Sequence, residues 1–102
     1  APEQAGGSAT TAVRIVYYNG TTTAGLSGAA EKAVKAAYGQ AETMALKNAT
    51  KSDYTTTLVV DLSGKHPQEA ARIAALLNGV TGPLPAGEAR PDGDLLIISG
   101  KP

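Results

Sequence analysis

The stretch "VRIVYYNGTTTAGLSGAAEKAVKAAYG", residues 13–39, changes its hydrophobic period once, and that change decides the fold class. Val13, Ile15 and Tyr17 alternate with Arg14, Val16 and Tyr18, the period-two pattern of a strand with one face better buried. From Thr23 to Tyr38 the spacing becomes helical. Leu26, Ala30, Ala33, Val34 and Ala37 share one face, opposite Glu31, Lys32 and Lys35, and Gly39 is placed to stop the helix in a left-handed conformation. Between the two lies "NGTTTAGLSG", a glycine-bearing turn leading into a helix start.

The rest of the chain extends this unit. A short strand is expected over 41–46, with Glu42, Met44 and Leu46 alternating against Thr43, Ala45 and Lys47, although the alanines also allow a helical continuation. "YTTTLVVDL" supplies β-branched residues and a continuous apolar run from Leu58 to Val60, which suits a well-buried strand. A second helix follows "SGKH", with Pro67 at its first position, Glu69 at the third, Ala70, Ile73, Ala74 and Leu77 as its apolar stripe, and Gly79 after its end. "TGPLPAGEARPDG" is an irregular excursion, and "DLLIIS" closes the fold as a strand apolar on both faces. The order is β-α-β-β-α-β. The expected fold is α/β of the α+β kind: a split βαβ two-layer sandwich, a four-stranded sheet carrying two helices. The alternative is a small doubly wound three-layer α/β sheet, because the apolar runs of the third and fourth strands suit cover on both faces.

Composition narrows the function classes. With 102 residues there is room for one domain, expected over 12–100, preceded by a flexible Ala-, Gly- and Pro-rich linker over 1–11 and followed by a tail at 101–102. The linker chemistry suggests a domain cut from a longer protein. Four tyrosines are the only aromatics, so the core is aliphatic, and truncating a central leucine such as Leu26 is expected to cost roughly 2–5 kcal/mol. Nine basic residues balance nine acidic ones with no block of either sign, which argues against a nucleic-acid or anionic-membrane partner. The absence of cysteine excludes disulfides, thiolate metal sites and cysteine catalysis, and does not identify a compartment.

Each candidate site has a structural alternative. The Asn19-Gly20 turn before a helix has the geometry of a phosphate site. It lacks both G-x-G-x-x-G and the P-loop lysine, so the favoured reading is a turn with positive φ at Gly20, Thr21 to Thr23 capping the helix, and Gly25 and Gly28 allowing close packing. His66, the only histidine, stands just before Pro67 and reads as an exposed helix cap, with no motif to recruit it for metal binding or catalysis. Arg14, Arg72 and Arg90 lie on separate elements, so no phosphotransfer centre, metal site or cofactor is expected. One of Tyr17 and Tyr18 should line the core, because consecutive strand residues face opposite ways. Tyr54, beside Asp53 in a polar loop, is the better exposed aromatic.

The residues Val13, Ile15, Asn19-Gly20, Gly25-Leu26 and Gly39, then "SDYTTTLVV" with Tyr54, Thr57 and Val59, then "DGDLLIISG" with Asp94, Leu95, Ile97 and Gly100, form a pattern. In order and spacing it resembles the LytR_C domain, the C-terminal module of LytR-CpsA-Psr cell-envelope proteins, over residues 12–100. The Ala-, Gly- and Thr-rich composition suits a high-GC actinobacterial source. The resemblance implies a membrane-anchored, extracytoplasmic parent that transfers glycopolymers from lipid-pyrophosphate carriers to peptidoglycan through a separate catalytic domain. Nothing in this chain matches that catalytic domain, and no binding residues come with the family. The expectation is a non-catalytic accessory domain that contacts peptidoglycan or cell-wall polymer, without touching the membrane itself. The alternative is a protein–protein interaction or dimerisation module of the envelope. SPOR domains share the element order and bind peptidoglycan, a fold-level analogy. A glycan groove should combine an aromatic with amides and hydroxyls, which nominates Asn19, Gly20, Thr21 and Thr22 together with Tyr54 and Thr55.

Overall fold

A computed structural model describes residues 13–39 and 41–101; the expected linker over 1–11 lies outside the described residues. The elements are β1 (Arg14–Asn19), α1 (Leu26–Ala37), β2 (Glu42–Asn48), β3 (Leu58–Asp61), α2 (Pro67–Leu76), β4 (Val80–Thr81) and β5 (Leu95–Ser99). The fold is α+β, with two helices and one mixed sheet in the order β2-β1-β5-β3-β4. That is five strands where four were expected. The added strand, β4, is a two-residue piece between Gly79 and Gly82, too short to leave a period in the sequence.

The sheet is two βαβ units on either side of β5. β2 pairs directly with β1 in parallel, so no strand splits the first unit, and β4 pairs in parallel with β3. β5 runs parallel to β1 and antiparallel to β3. The two units therefore point in opposite directions and step outward to opposite sides. Crossovers of one hand, related by a half-turn about the sheet normal, bring their helices to the same face. Ile15 and Tyr17 of β1, Leu95 and Ile97 of β5 and Val59 of β3 pack there against Ala30 and Val34 of α1 and Ala70, Ile73 and Ala74 of α2. The doubly wound alternative, with a helix on each face, is not what forms.

The opposite face is also apolar and, among the described residues, carries no helix. Val16, Tyr18, Val60, Leu62, Leu96 and Ile98 make a second buried cluster, covered by Ala49 and Tyr54 from the β2–β3 loop and by Leu84 from the excursion before β5. Tyr17 and Tyr18 are thus both buried, one on each face, and neither offers a stacking platform. Leu26 is half-buried at the start of α1, outside both clusters, so it is not the central leucine that helical spacing suggested.

The two covering loops are joined by one carboxylate. Glu88, 7% exposed, accepts from the Thr50 N–H at 2.8 Å, the Lys51 N–H at 3.4 Å and the Tyr54 hydroxyl at 2.7 Å. The Tyr18 hydroxyl, pointing out of the sheet, donates to the Ala89 carbonyl at 3.1 Å. Burial by itself raises the Glu88 carboxyl, but the Thr50, Tyr54 and Lys51 donors together outweigh it and hold the group below its ordinary range. Burial, followed by the bond to Glu88 and its charge, pushes the Tyr54 hydroxyl up to about 12.

These shifts fix the sign of a pH dependence. The Glu88 contribution is in place above the ordinary carboxyl value of 4.5 and is lost as pH falls through the lower folded value. The Tyr54 contribution is in place below 10.0 and is lost as pH rises toward about 12. Urea unfolding followed across the acid range should show stability falling for the native protein. Glu88→Gln should flatten that acid limb and cost about 1.5–3 kcal/mol near neutrality, the range for hydrogen bonds to a charged group. An acid limb unchanged in Glu88→Gln would mean that other carboxylates govern it.

Candidate functional site

The segment Tyr54–Thr57 crosses the carboxyl ends of β1 and β5 and is held there by backbone bonds. The Tyr54 N–H donates to the Gly20 carbonyl at 3.1 Å, and the Lys101 N–H donates to the Tyr54 carbonyl at 3.0 Å. The Gly100 N–H donates to the Thr57 hydroxyl at 3.1 Å, and the Val80 N–H to the Thr57 carbonyl at 2.9 Å. Three glycines make room for it. A Cβ on Gly20 would lie 2.5 Å from Tyr54 Cδ1 and 2.8 Å from the Ser99 carbonyl oxygen. One on Gly79 would lie 2.4 Å from the Thr57 carbonyl oxygen, and one on Gly100 2.3 Å from the Thr56 carbonyl carbon. Each glycine follows a short polar residue: Asn19 and Ser99 end β1 and β5, and Asn78 lies just past α2.

The glycine roles differ from those expected. Gly20 and Gly39 do not have positive φ; Gly20 serves close approach, and the left-handed residue near a helix end is Asn78, with φ 57°. Asn78 closes α2 as a Schellman motif, in which the Gly79 N–H donates to the Ala74 carbonyl at 2.7 Å and the Asn78 N–H to the Ala75 carbonyl at 3.3 Å. Gly25 is needed for its own φ of 86° at the start of α1, and Gly28 faces open space rather than the sheet.

The nominated residues come together, but not as a stacking site. Asn19 is buried. Its Oδ1 accepts from the Thr21 N–H at 3.0 Å and the Thr21 hydroxyl at 2.9 Å, and its Nδ2 donates to the Thr23 carbonyl at 2.7 Å. The Thr23 N–H donates to the Thr21 hydroxyl at 3.0 Å. The threonines therefore close the turn instead of capping α1, which has no side-chain cap. Thr22 is exposed. The Tyr54 ring lies against Gly20 with its hydroxyl on Glu88, so it covers the sheet and is not a free aromatic.

What the arrangement leaves open is a groove beside this segment, about 310 Å³ in volume, at the low end of small-ligand cavities. Thr55, Thr56 and Thr57 form one wall, Leu26 and Leu77 supply apolar patches, and Asn78, Ser99 and Lys101 complete it. It lies outside the carboxyl ends of two parallel strands, between the start of α1 and the end of α2, where open α/β sheets hold their ligands. Of the six nominated residues only Thr55 lines it; Thr56 and Thr57 continue its segment, and Asn78, Ser99 and Lys101 arrive from elsewhere in the chain.

The titratable candidates stay apart. His66 is the residue preceding α2; it makes no side-chain cap, and its Nδ1 lies 3.7 Å from Glu69 Oε1. Arg14 pairs with Asp94 at 3.7 Å, and Arg90 donates to the Leu62 carbonyl. Among the described residues no three His, Asp or Glu side chains are grouped to hold a metal ion.

The glycine contacts give a graded stability test. Gly20→Ala should cost about 1–3 kcal/mol by overpacking. Gly100→Ala should cost more, because all three of the nearest atoms are Thr56 backbone. Gly28→Ala, in open space on a helix, should instead stabilise by up to about 1 kcal/mol. Thermal unfolding of the three variants in that order checks the geometry; equal effects at Gly28 and Gly100 would contradict it.

Comparison with protein-family models, with curated proteins and with solved structures finds no match to this chain.

Proposed function

We propose that this is a non-catalytic, extracytoplasmic accessory domain that contacts peptidoglycan or cell-wall polymer, and so positions a membrane-anchored LytR-CpsA-Psr-type parent. The resemblance of the sequence to the LytR_C domain supplies the biological setting. The observation that carries the molecular part is the groove at the carboxyl ends of β1 and β5. Its threonine hydroxyls, the Asn78 amide and the flanking Leu26 and Leu77 match the alternating hydroxyl and C–H surfaces of a sugar. Chemical-shift titration with purified peptidoglycan fragments tests it. The amides of Thr55 to Thr57, Asn78 and Gly100 should move together and saturate, while those of β2 stay in place. No shift at saturating ligand would remove the glycan reading.

A second reading, self-association through a sheet edge, is favoured by the exposure of Met44 and Leu46 on β2, at 41% and 48%. The same strand carries a feature that opposes it. The ladder steps from Ile15 opposite Thr43 to Val16 opposite Ala45, leaving Met44 as an extra, bulged residue on the open edge. Sedimentation at several concentrations should give a monomer throughout. A dimer abolished by Leu46→Lys would establish the second reading instead.

A further inference from the structure

We infer that the groove holds an oxyanion, the carboxylate or phosphate of an acidic saccharide, between the start of α1 and Ser99; the sugar body of that ligand rests on the glycan reading above. Two independent features converge here. The first is the amino end of α1, a 12-residue helix whose cap is Gly25, with no side-chain cap and no acidic residue in its first turn. Its leading N–H groups and the helix dipole present positive potential at Leu26, on the groove wall.

The second feature is Ser99. It is 5% exposed and follows Leu95 and Ile97 on the helix-covered face of β5, so its side chain points between α1 and the end of α2. Among the described residues no hydrogen bond engages its hydroxyl, although its carbonyl accepts from the Gly20 N–H at 2.9 Å. Ser99 is buried as a residue, but its hydroxyl is not fully enclosed: it opens into the groove, where an acceptor can meet it. Lys101, two residues further on and also lining the groove, adds a mobile cation. The donors are single N–H and O–H groups with one ammonium and no guanidinium fork, which suits one oxyanion on a larger neutral body.

The test uses the full chain, N-acetylmuramic acid with its lactyl carboxylate, neutral N-acetylglucosamine and inorganic phosphate, followed by amide shifts. N-acetylmuramic acid should move the amides of residues 26–28 and 99–101, and bind at least about tenfold more tightly than N-acetylglucosamine, as a charge-assisted contact requires. Gly28→Asp places a carboxylate in the first turn of α1. It should raise the melting temperature by complementing the dipole and yet weaken the acidic sugar about tenfold. Ser99→Ala and Lys101→Gln should each weaken the acidic sugar several-fold more than they weaken N-acetylglucosamine. If the two sugars bind equally, the oxyanion inference is wrong and the glycan reading stands. If phosphate binds at these amides and neither sugar does, the inference holds and the glycan reading fails. If nothing binds, both fail.

Discussion

A sheet with two apolar faces and helices on only one of them depends on whatever seals the other, and here that is the Glu88 carboxylate. It gathers the Thr50 and Lys51 N–H groups and the Tyr54 hydroxyl, and so ties the β2–β3 loop to the excursion before β5 over Val16, Tyr18, Leu96 and Ile98. Two oppositely directed crossovers of one hand put both helices of the described residues on the same face. Loops carry backbone groups that must be satisfied if they are to lie against apolar residues, and a buried carboxylate with two oxygens can satisfy several at once. The same bond orients Tyr54, and Tyr54 begins the segment that walls the groove. Cover of the back face and shape of the site are therefore one structural problem with one solution.

Most of the architecture was legible because it rests on period. The strand at Val13–Tyr18, both amphipathic helices and the closing "LLIIS" strand follow from alternation, apolar runs or helical spacing, whereas the apolar runs of β3 and β5, which pointed to the doubly wound alternative, are covered by loops on the second face. β4 was not legible, since two residues carry no period. The position of β2 beside β1 was hidden for a different reason, because strand order is set by crossover geometry and not by local composition.

The site was legible in part. Asn19-Gly20 and Tyr54 do meet, but the expected positive φ at Gly20 and exposed ring at Tyr54 are replaced by one contact, the ring lying on the glycine. An Asn-Gly pair reads the same whether glycine supplies a backbone conformation or merely the absence of a side chain. The signal that would have found the remaining residues is a short polar residue before glycine, and of the places where it recurs, Thr81-Gly82 at the end of β4 among them, three matter: Asn19-Gly20, Asn78-Gly79 and Ser99-Gly100. Only the fold reveals that all three abut Tyr54–Thr57.

The two ends of the sheet differ in how they treat helix charge, and the difference bears on where a ligand would go. At the end where α2 starts, Asp61 accepts from the Gly64 N–H at 3.0 Å and the His66 N–H at 3.0 Å, Glu69 stands in the first turn, and Pro67 has no N–H to satisfy. The positive potential there is met by the protein's own carboxylates. At the end where α1 starts, the turn is closed by neutral Asn19 and Thr21, the cap is glycine, and no acid occupies the first turn. Replacing those neutral groups with an Asp-type cap would stabilise the helix, so their presence leaves stability unclaimed at one helix start and not at the other. The α1 end is also where Ser99 and Lys101 line the groove, whereas the cavity of about 430 Å³ at the α2 start, lined by Asp61, Pro67 and Arg90, already has a carboxylate beside its helix end.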